Sequence, residues 1–136
     1  MSRKSSSPPC PCGHAQPYEA CCGRYIDHFD QPAPSAEALM RSRYTAYTLK
    51  HADYLLATWH PDVRPNQLDL SDSDAPVKWL GLDVLNHEAG QPGDLAGIVE
   101  FVARYKVNGR AYRLHEISRF DFLDGRWYYR DGDITD

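Results

Sequence analysis

The chain has 136 residues, of which 42% are hydrophobic and 12% are aromatic, and its formal net charge is −4. A chain of this size forms one ordinary domain with a small appendage, and its apolar content can build a core without disulfide bonds. The negative charge argues against a general affinity for nucleic acid, so a nucleic-acid partner is not expected.

Residues 1–9 are rich in serine and proline, which predicts a disordered tail. No apolar signal segment follows the basic start, and no apolar run approaches the length of a membrane span. We therefore expect a cytoplasmic protein without a membrane partner, in a reducing compartment that keeps cysteine thiolates available for metal.

All four cysteines of the chain lie within residues 10–24, in the spacing C-x-C, eight residues, C-C. Four thiolates suit a tetrahedral Zn²⁺ ion, and structural zinc sites are closed by four such ligands. We predict a zinc knuckle with one structural ion per chain, held by Cys10, Cys12, Cys21 and Cys22. Because four protein ligands leave no position for water, metal-assisted hydrolysis is not expected.

The residues between the two cysteine pairs predict how the chain returns to the metal. Gly13 accepts positive φ and allows a tight turn after the first pair. Pro17 and Tyr18 begin a predicted short helix, which Gly23 would end as a C-terminal cap.

Other interpretations of the cysteines remain open at this point. Two disulfides would need adjacent cysteines to reach different partners, a redox pair normally has the spacing C-x-x-C, and iron–sulfur clusters use other spacings. Adjacent cysteines on one ion strain the backbone, so His14 is an alternative ligand to one of them.

The sequence C-P-C-G, a spacer containing tyrosine, and C-C-G resembles the SEC-C zinc motif found at the carboxyl end of the preprotein translocase ATPase. The resemblance covers residues 10–23. It implies a bound zinc ion and a protein partner that contacts the knuckle. It does not imply ATPase activity, because the chain has no G-x-x-x-x-G-K-[ST] loop.

Residues 25–34 are a predicted connector, in which Tyr25, Ile26 and Phe29 pack the knuckle onto the main domain. The main domain is predicted over residues 35–136, and Ser35 is a favourable N-cap for its first helix. Apolar residues at three- and four-residue steps form one face of this helix: Leu39, Met40, Tyr44 and Tyr47. Its basic residues are expected on a solvated face: Arg41, Arg43 and Lys50.

A short second helix is predicted next, with Tyr54, Leu55 and Trp59 on its buried side. Pro61 ends it, because the residue before a proline avoids the helical region. The acidic residues 69–74 lack the glycine and the distal glutamate of a calcium loop, and we expect a solvated loop.

The last sixty residues have the pattern of an antiparallel sheet of about four strands. The predicted strands are Trp79–His87, Leu95–Val107, Ala111–Leu123 and Arg126–Asp131.

Asn108-Gly109 and Asp124-Gly125 are two-residue hairpin turns, which fix the pairing on either side. This register places Tyr105 opposite Tyr112 and Phe101 opposite Glu116 in the first hairpin. In the second hairpin it places Phe120 opposite Tyr129, Ser118 opposite Asp131 and Glu116 opposite Asp133.

The paired strands share one apolar face, and the two helices are the available cover. Two helices on a curved antiparallel sheet make an α+β half-cone, which often encloses a pocket. This order resembles the nuclear transport factor 2-like, or cystatin-like, fold. Five stretches further resemble the YchJ-like family: residues 38–47 (ALMRSRYTAY), 52–55 (ADYL), 58–61 (TWHP), 79–82 (WLGL) and 127–132 (WYYRDG).

With the SEC-C motif in front, the similarity to the YchJ-like family covers nearly the whole chain. It implies a zinc module on a nuclear transport factor 2-like domain, without an established activity. Family members often carry a second SEC-C motif after the last strand, which this sequence lacks. The resemblance therefore does not imply a role that needs two zinc modules.

Three polar residues interrupt the apolar face of the sheet: Glu116, Ser118 and Asp131. Clustered carboxylates in a cleft can serve as acid and base, and His60 lies near enough in the predicted fold to join them. Such a group would form a small-molecule pocket or a proton-transfer site. The competing interpretation, which we favour on sequence alone, is that these residues are solvated or pair with Arg41 or Arg43.

Three functions are consistent with these features. The first is a non-enzymatic protein-interaction module that uses the zinc knuckle. The second is a small-molecule binder or proton-transfer enzyme that uses the half-cone pocket. The third, with the weakest support, is an RNA contact through Arg24, Arg41 and Arg43.

Overall fold

The computed structural model describes residues 9–68 and 77–135. A 3₁₀ turn at Tyr18–Ala20 precedes three α-helices and four strands: α1 Gly23–Ile26, α2 Ala36–Leu49, α3 Ala52–Ala57, β1 Val77–Ala89, β2 Ala96–Val107, β3 Arg110–Leu123 and β4 Arg126–Thr135. The strands form one antiparallel sheet in the order β1-β2-β3-β4. The predicted α+β half-cone is therefore confirmed. Apart from Pro9, the predicted tail and acidic loop lie outside the described residues.

Helix α2 begins at the predicted N-cap and ends at a residue with left-handed backbone geometry. The Oγ of Ser35 accepts a hydrogen bond from the backbone N–H of Ala38 at 3.1 Å, and Lys50 ends the helix with φ of 62°. The buried face includes Leu39, Met40 and Tyr44. The expectation for Arg43 is wrong: it lies on this buried face and is 6% exposed.

Helix α3 is shorter than the second helix expected from the sequence, because it ends at Ala57 and leaves Trp59 beyond it. The next residues are extended and run alongside β4 instead. Tyr129 donates its N–H to the carbonyl of Thr58 at 2.9 Å, and its carbonyl accepts the N–H of His60 at 2.8 Å. This short parallel pairing covers part of the β4 edge, which would otherwise present unpaired backbone groups.

The first hairpin has the predicted register throughout, from Val107 opposite Arg110 to Val99 opposite Ser118. Strands β1 and β4 are longer than their sequence pattern indicated, since β1 extends to Ala89 and β4 extends to Thr135. Strand β1 follows β2 with two register shifts, between Trp79 and Gly81 and between Val84 and Asn86.

The second hairpin follows the predicted register only as far as Phe120 opposite Tyr129. An extra residue at Arg130 then bulges out of β4, so that Asp131 lies opposite Arg119 and Gly132 lies opposite Ser118. The predicted pairs of Ser118 with Asp131 and of Glu116 with Asp133 are therefore wrong. A bulge of one residue exchanges the two faces of a strand, because side chains alternate with a period of two.

The bulge moves the acidic residues of β4 away from the helices. On the outer face of the sheet, Arg119 donates to Asp131 at 2.5 Å and to Asp133 at 2.9 Å. Both carboxylates are exposed, so these pairs contribute little to stability. Among the described residues, no helix is long and apolar enough to cross a membrane.

Candidate metal centre and internal cavity

The four cysteines meet at one buried point next to helix α2. Their Sγ atoms all lie within 4.8 Å of one another, and each residue is at most 3% exposed. The Sγ atoms of Cys12 and Cys21 are 3.6 Å apart. Zn–S bonds of about 2.3 Å in a regular tetrahedron place sulfurs about 3.8 Å apart, so the cluster has the dimensions of a four-thiolate metal site.

Local backbone geometry brings the two cysteine pairs together. Gly13 has φ of 103° and donates its N–H to the carbonyl of Cys10 at 3.1 Å, as expected for a tight turn. The returning segment is the 3₁₀ turn at Tyr18–Ala20, and Cys21 and Cys22 lie between this turn and α1. The predicted role of Gly23 as a C-terminal cap is wrong, because Gly23 is the first residue of α1.

Gly23 is required for a different reason, which is the close approach of a tyrosine. A Cβ atom added at Gly23 would lie 2.8 Å from both Cε2 and the carbonyl oxygen of Tyr18. The hydroxyl of Tyr18 donates to Asp27 at 3.1 Å. Burial raises the pKa of this hydroxyl well above its usual range, and Asp27 raises it further.

The crowded thiols oppose one another's ionisation. Hydrogen bonds from Cys12 and Cys22 hold the pKa of Cys10 far below its usual range. The same hydrogen bond to Cys10 raises the pKa of Cys22, while burial and Cys12 raise the pKa of Cys21 to about 12. Four thiolates at this spacing therefore need a cation among them, which fits the chemistry of a metal centre.

His14, the alternative ligand, lies outside the group of four sulfur atoms. Its side chain is exposed, and its Nδ1 is 3.4 Å from the Sγ of Cys21. All four cysteines are free of disulfide bonds. The donor set that the geometry offers is thus four cysteines, with His14 positioned as a hydrogen-bond partner of one of them.

The cysteine cluster is fixed to α2 by several contacts. The Sγ of Cys10 is 3.7 Å from the Oγ1 of Thr45, and Arg41 donates from Nη1 to the carbonyl of Cys12 at 2.8 Å. Tyr25 and Ile26 pack against the core cluster that contains the cysteines. Phe29 is also anchored, because Arg126 covers its ring and donates to its carbonyl at 2.6 Å. The knuckle is a packed part of the domain.

On the other side of α2, a cavity of about 320 Å³ lies between the helix and the sheet. Its walls are mostly aromatic and aliphatic. The lining residues are Met40, Arg43, Tyr44, Tyr47, Trp59, Trp79, Phe101, Ala103, Leu114, Glu116, Ser118, Phe120 and Tyr129. Small-molecule sites are concave and largely apolar with a few polar groups, and this volume lies at the lower end of their usual range.

One carboxylate faces this cavity and is held by two hydroxyl groups. The Oε2 of Glu116 accepts hydrogen bonds from Ser118 at 2.7 Å and from the hydroxyl of Tyr129 at 3.0 Å. Glu116 is 9% exposed and Ser118 is 1% exposed. Burial and the neighbouring Glu116 raise the pKa of Tyr129 above its usual range, so the phenol remains a donor. Of the two arrangements expected from the sequence, solvation is wrong, because Glu116 and Ser118 are buried, and neither residue makes a direct ion pair or hydrogen bond with Arg41 or Arg43 among the described residues.

Arg43 supplies the opposite charge. Its guanidinium group lies 4.7 Å from the ring centre of Tyr129 and 5.3 Å from that of Trp59. From Nη1 it donates to the carbonyl of Leu55 at 2.8 Å and to the Oγ1 of Thr58 at 2.7 Å. Burial lowers the pKa of Arg43, while nearby tyrosines and Glu116 oppose this shift. An arginine remains charged even so, because its usual pKa is above 12.

The bulge in β4 makes room for the carboxylate. A Cβ atom added at Gly132 would lie 2.2 Å from the Oε2 of Glu116 and 3.0 Å from its Cγ. Glu116 therefore extends over a residue that has no side chain. With Asp131 there instead, as the simple register predicts, two carboxylates would compete for this space.

We expect Gly132→Ala to destabilise the protein by about 1–3 kcal/mol, because Glu116 must move away from Ser118 and Tyr129. Urea unfolding of the variant measures this loss. In a Glu116→Ala background the same substitution is expected to cost much less, since the clashing atoms are gone. An equal loss of stability with and without the Glu116 side chain would show that the clash with Glu116 is not the cause of the destabilisation.

The four candidate residues do not form a single site. Glu116 and Ser118 line the cavity, whereas Asp131 lies on the outer face and pairs with Arg119. His60 is buried outside the cavity lining: its Nε2 is 3.6 Å from Asp121, and its Nδ1 accepts the N–H of Asp62. No sequence signal separated Asp131 from Glu116 and Ser118, because the bulge that moves Asp131 to the outer face is a tertiary feature.

The sequence patterns do not reveal two polar cavity residues. They place Tyr129 only opposite Phe120 in the sheet, and they predict a solvated face for Arg43. The position of Arg43 was informative, since it follows Met40 by three residues and precedes Tyr47 by four, which places it on the apolar face. An arginine at such a position indicates a buried charge that needs a partner.

Known proteins resemble the chain over most of its length. The family model described as "YchJ, middle NTF2-like domain" matches residues 35–132. A UPF0225 protein from Chromobacterium violaceum is 56% identical over 131 residues, which covers 96% of each chain. A UPF0225 protein from Streptomyces coelicolor is 48% identical over 130 residues, covering 96% of this chain and 98% of the relative.

Two solved structures have the same fold, and their descriptions name a SEC-C motif. A SEC-C motif containing protein from Rhodopseudomonas palustris, solved in solution, has a TM-score of 0.76 and 37% identity, covering 94% of this chain and 99% of its own. A sec-c motif containing protein from Psychrobacter arcticus has a TM-score of 0.72 and 26% identity. This match covers 96% of the present chain and 84% of the Psychrobacter protein. The chain belongs to the YchJ-like family, with a SEC-C cysteine cluster and a nuclear transport factor 2-like domain.

Proposed function

We propose that the protein binds a small molecule in the half-cone cavity, and that a structural Zn²⁺ ion fixes the N-terminal segment to α2. The observation that carries the proposal is that two buried groups of opposite charge, Glu116 and Arg43, line an otherwise apolar cavity. Burying charges costs free energy, and such groups are concentrated at functional sites.

The proposed metal role is structural. Cys10, Cys12, Cys21 and Cys22 would fill all four positions of a tetrahedral ion, and no position would remain for water or substrate. Zinc is the divalent ion that four thiolates in a closed tetrahedral site favour. When bound, the ion supplies a crosslink between the two cysteine pairs and balances the thiolate charges.

The cavity proposal rests on shape and on the position of one carboxylate. Helix α2 provides one wall through Met40, Arg43 and Tyr44. The sheet provides the opposite wall, which includes Phe101 and Leu114. In an enzymatic version of the proposal, Glu116 is the group that would accept or return a proton. It is the single carboxylate among the described residues that line the cavity.

Filling the cavity tests this proposal. Leu114 is half-buried at the cavity wall, and Leu114→Trp is expected to occlude the space and weaken binding of cavity ligands at least tenfold. A fragment library screened by protein-observed NMR identifies ligands that shift the methyl signals of Ala103 and Leu114 in the wild type. The matched control is Leu80→Trp, at an exposed position of β1. Wild-type protein that binds no fragment at these methyl groups would refute the cavity proposal.

Protein interaction through the knuckle is the second candidate, and the SEC-C resemblance implies it. The supporting observation is that residues 13–16, between the cysteine pairs, are exposed while the cysteines are buried. A partner could therefore contact this loop without disturbing the metal site. His14→Ala combined with Gln16→Ala should then weaken binding to a purified partner and leave the zinc content and fragment binding unchanged. Unchanged affinity would contradict this role.

A further inference from the structure

The polar groups of the cavity restrict the kind of molecule that it can hold. Arg43 and Glu116 are the two formally charged residues among the described residues that line it, and their charges cancel. A bound anion or cation would leave one buried charge without a partner, which costs several kcal/mol. An uncharged ligand preserves the balance.

Glu116 also determines which hydrogen-bonding group the ligand should carry. Both of its hydroxyl partners donate to the same oxygen, Oε2. The second oxygen, Oε1, has no hydrogen-bond donor among the described residues, although the side chain is nine-tenths buried. A carboxylate oxygen is an acceptor, so the complementary group is an O–H or N–H donor.

The walls favour a flat body for the ligand. Trp79 lies between Tyr44 and Tyr47, with ring centres 5.6 Å and 6.1 Å away, and Phe120 lies against Tyr129. Aromatic rings pack well against other rings in offset and edge-on arrangements. The volume of about 320 Å³ lies within the range of small-molecule sites and is sufficient for two fused rings.

From these three observations we infer that the cavity binds an uncharged, flat ring compound whose hydroxyl or N–H group donates a hydrogen bond to Oε1 of Glu116. This inference rests on the proposed small-molecule function and names the ligand class. Gly132 positions the carboxylate, because a side chain there would displace it.

A matched series of naphthalene derivatives tests the inference at pH 7 by calorimetry, with the methyl signals of Ala103 and Leu114 locating the site. The probes are 2-naphthol, naphthalene, 2-methoxynaphthalene, 2-naphthoate and 2-naphthylmethylammonium. We expect 2-naphthol to bind about tenfold more tightly than each of the others, since one hydrogen bond to a charged group contributes about that factor. The series uses the wild-type protein, so it does not depend on a variant that folds.

Glu116→Gln adds a change of specificity to this test. The amide nitrogen of glutamine is a donor, so the variant should lose the preference for 2-naphthol over 2-methoxynaphthalene, or reverse it. The matched control is Asp131→Asn, the same chemical change on the outer face, which should leave the ratio of the two affinities unchanged.

The possible outcomes separate the inference from the proposed function. Tighter binding of 2-naphthoate or 2-naphthylmethylammonium than of 2-naphthol would overturn the inference and leave small-molecule binding intact. Equal affinities for naphthalene and 2-naphthol would also overturn the inference and leave small-molecule binding intact. The same conclusion would follow if Glu116→Gln kept the preference for 2-naphthol over 2-methoxynaphthalene. If none of the probes shifts the methyl signals of Ala103 or Leu114, both the inference and the proposed cavity function fail.

Discussion

Loss of the metal is expected to destabilise the domain strongly, because the cysteine cluster is part of its hydrophobic core. The four cysteines pack in one cluster with Leu39 and Ala46 of α2. Structural zinc sites contribute on the order of 10 kcal/mol to folding in small domains, and a larger domain should retain several kcal/mol of that contribution. We expect chelation, or Cys22→Ser, to lower the thermal unfolding midpoint by more than about 10 °C.

The measurement combines elemental analysis, a free-thiol count and thermal unfolding on the same protein sample, purified without added metal. One zinc ion per chain and thiols that react only after chelation are the expected results. His14→Ala is the control, because His14 is exposed and lies outside the sulfur cluster. If His14→Ala releases zinc while Cys22→Ser retains it with an unchanged midpoint, the four-cysteine ligand set is wrong.

Removal of Arg43 is the second change with a large expected effect. Arg43→Ala would leave the Glu116 carboxylate buried without its counter-charge, and would leave the carbonyl of Leu55 and the hydroxyl of Thr58 without a donor. An uncompensated buried charge costs up to about 3–5 kcal/mol, and the lost hydrogen bonds add to this cost. Urea unfolding should therefore show a loss of this size.

A double-mutant cycle separates the charge effect from lost packing. Arg43→Ala should cost less in a Glu116→Gln background, because the uncompensated carboxylate is then absent. Arg113→Ala, at an exposed position of β3, is the matched control and should change stability by less than about 0.5 kcal/mol. Equal losses for Arg43→Ala with and without Glu116 would mean that Arg43 acts only through its contacts with α3 and the aromatic rings.

Local chemistry in the sequence was sufficient to predict most elements of the fold. Ser35 predicts the start of α2 because its hydroxyl caps the free backbone N–H groups of the first turn. Asn108-Gly109 predicts the register of β2 and β3 because both residues accept the positive φ that a two-residue turn requires. The clustering of the cysteines similarly predicts a metal centre. Disulfides, redox pairs and iron–sulfur clusters normally have other cysteine spacings.

Only the tertiary structure decided which polar residues share the cavity. The bulge at Arg130 reverses the faces of β4, and it occurs where Tyr129 also pairs with the segment after α3 and where Gly132 lies beneath Glu116. These are contacts between residues distant in sequence, which a pattern of alternating side chains does not encode. The sequence by itself therefore determined the elements, the first hairpin and the cysteine cluster. The burial of Arg43 and Glu116 around one cavity, and the exclusion of Asp131 and His60 from it, depended on long-range packing.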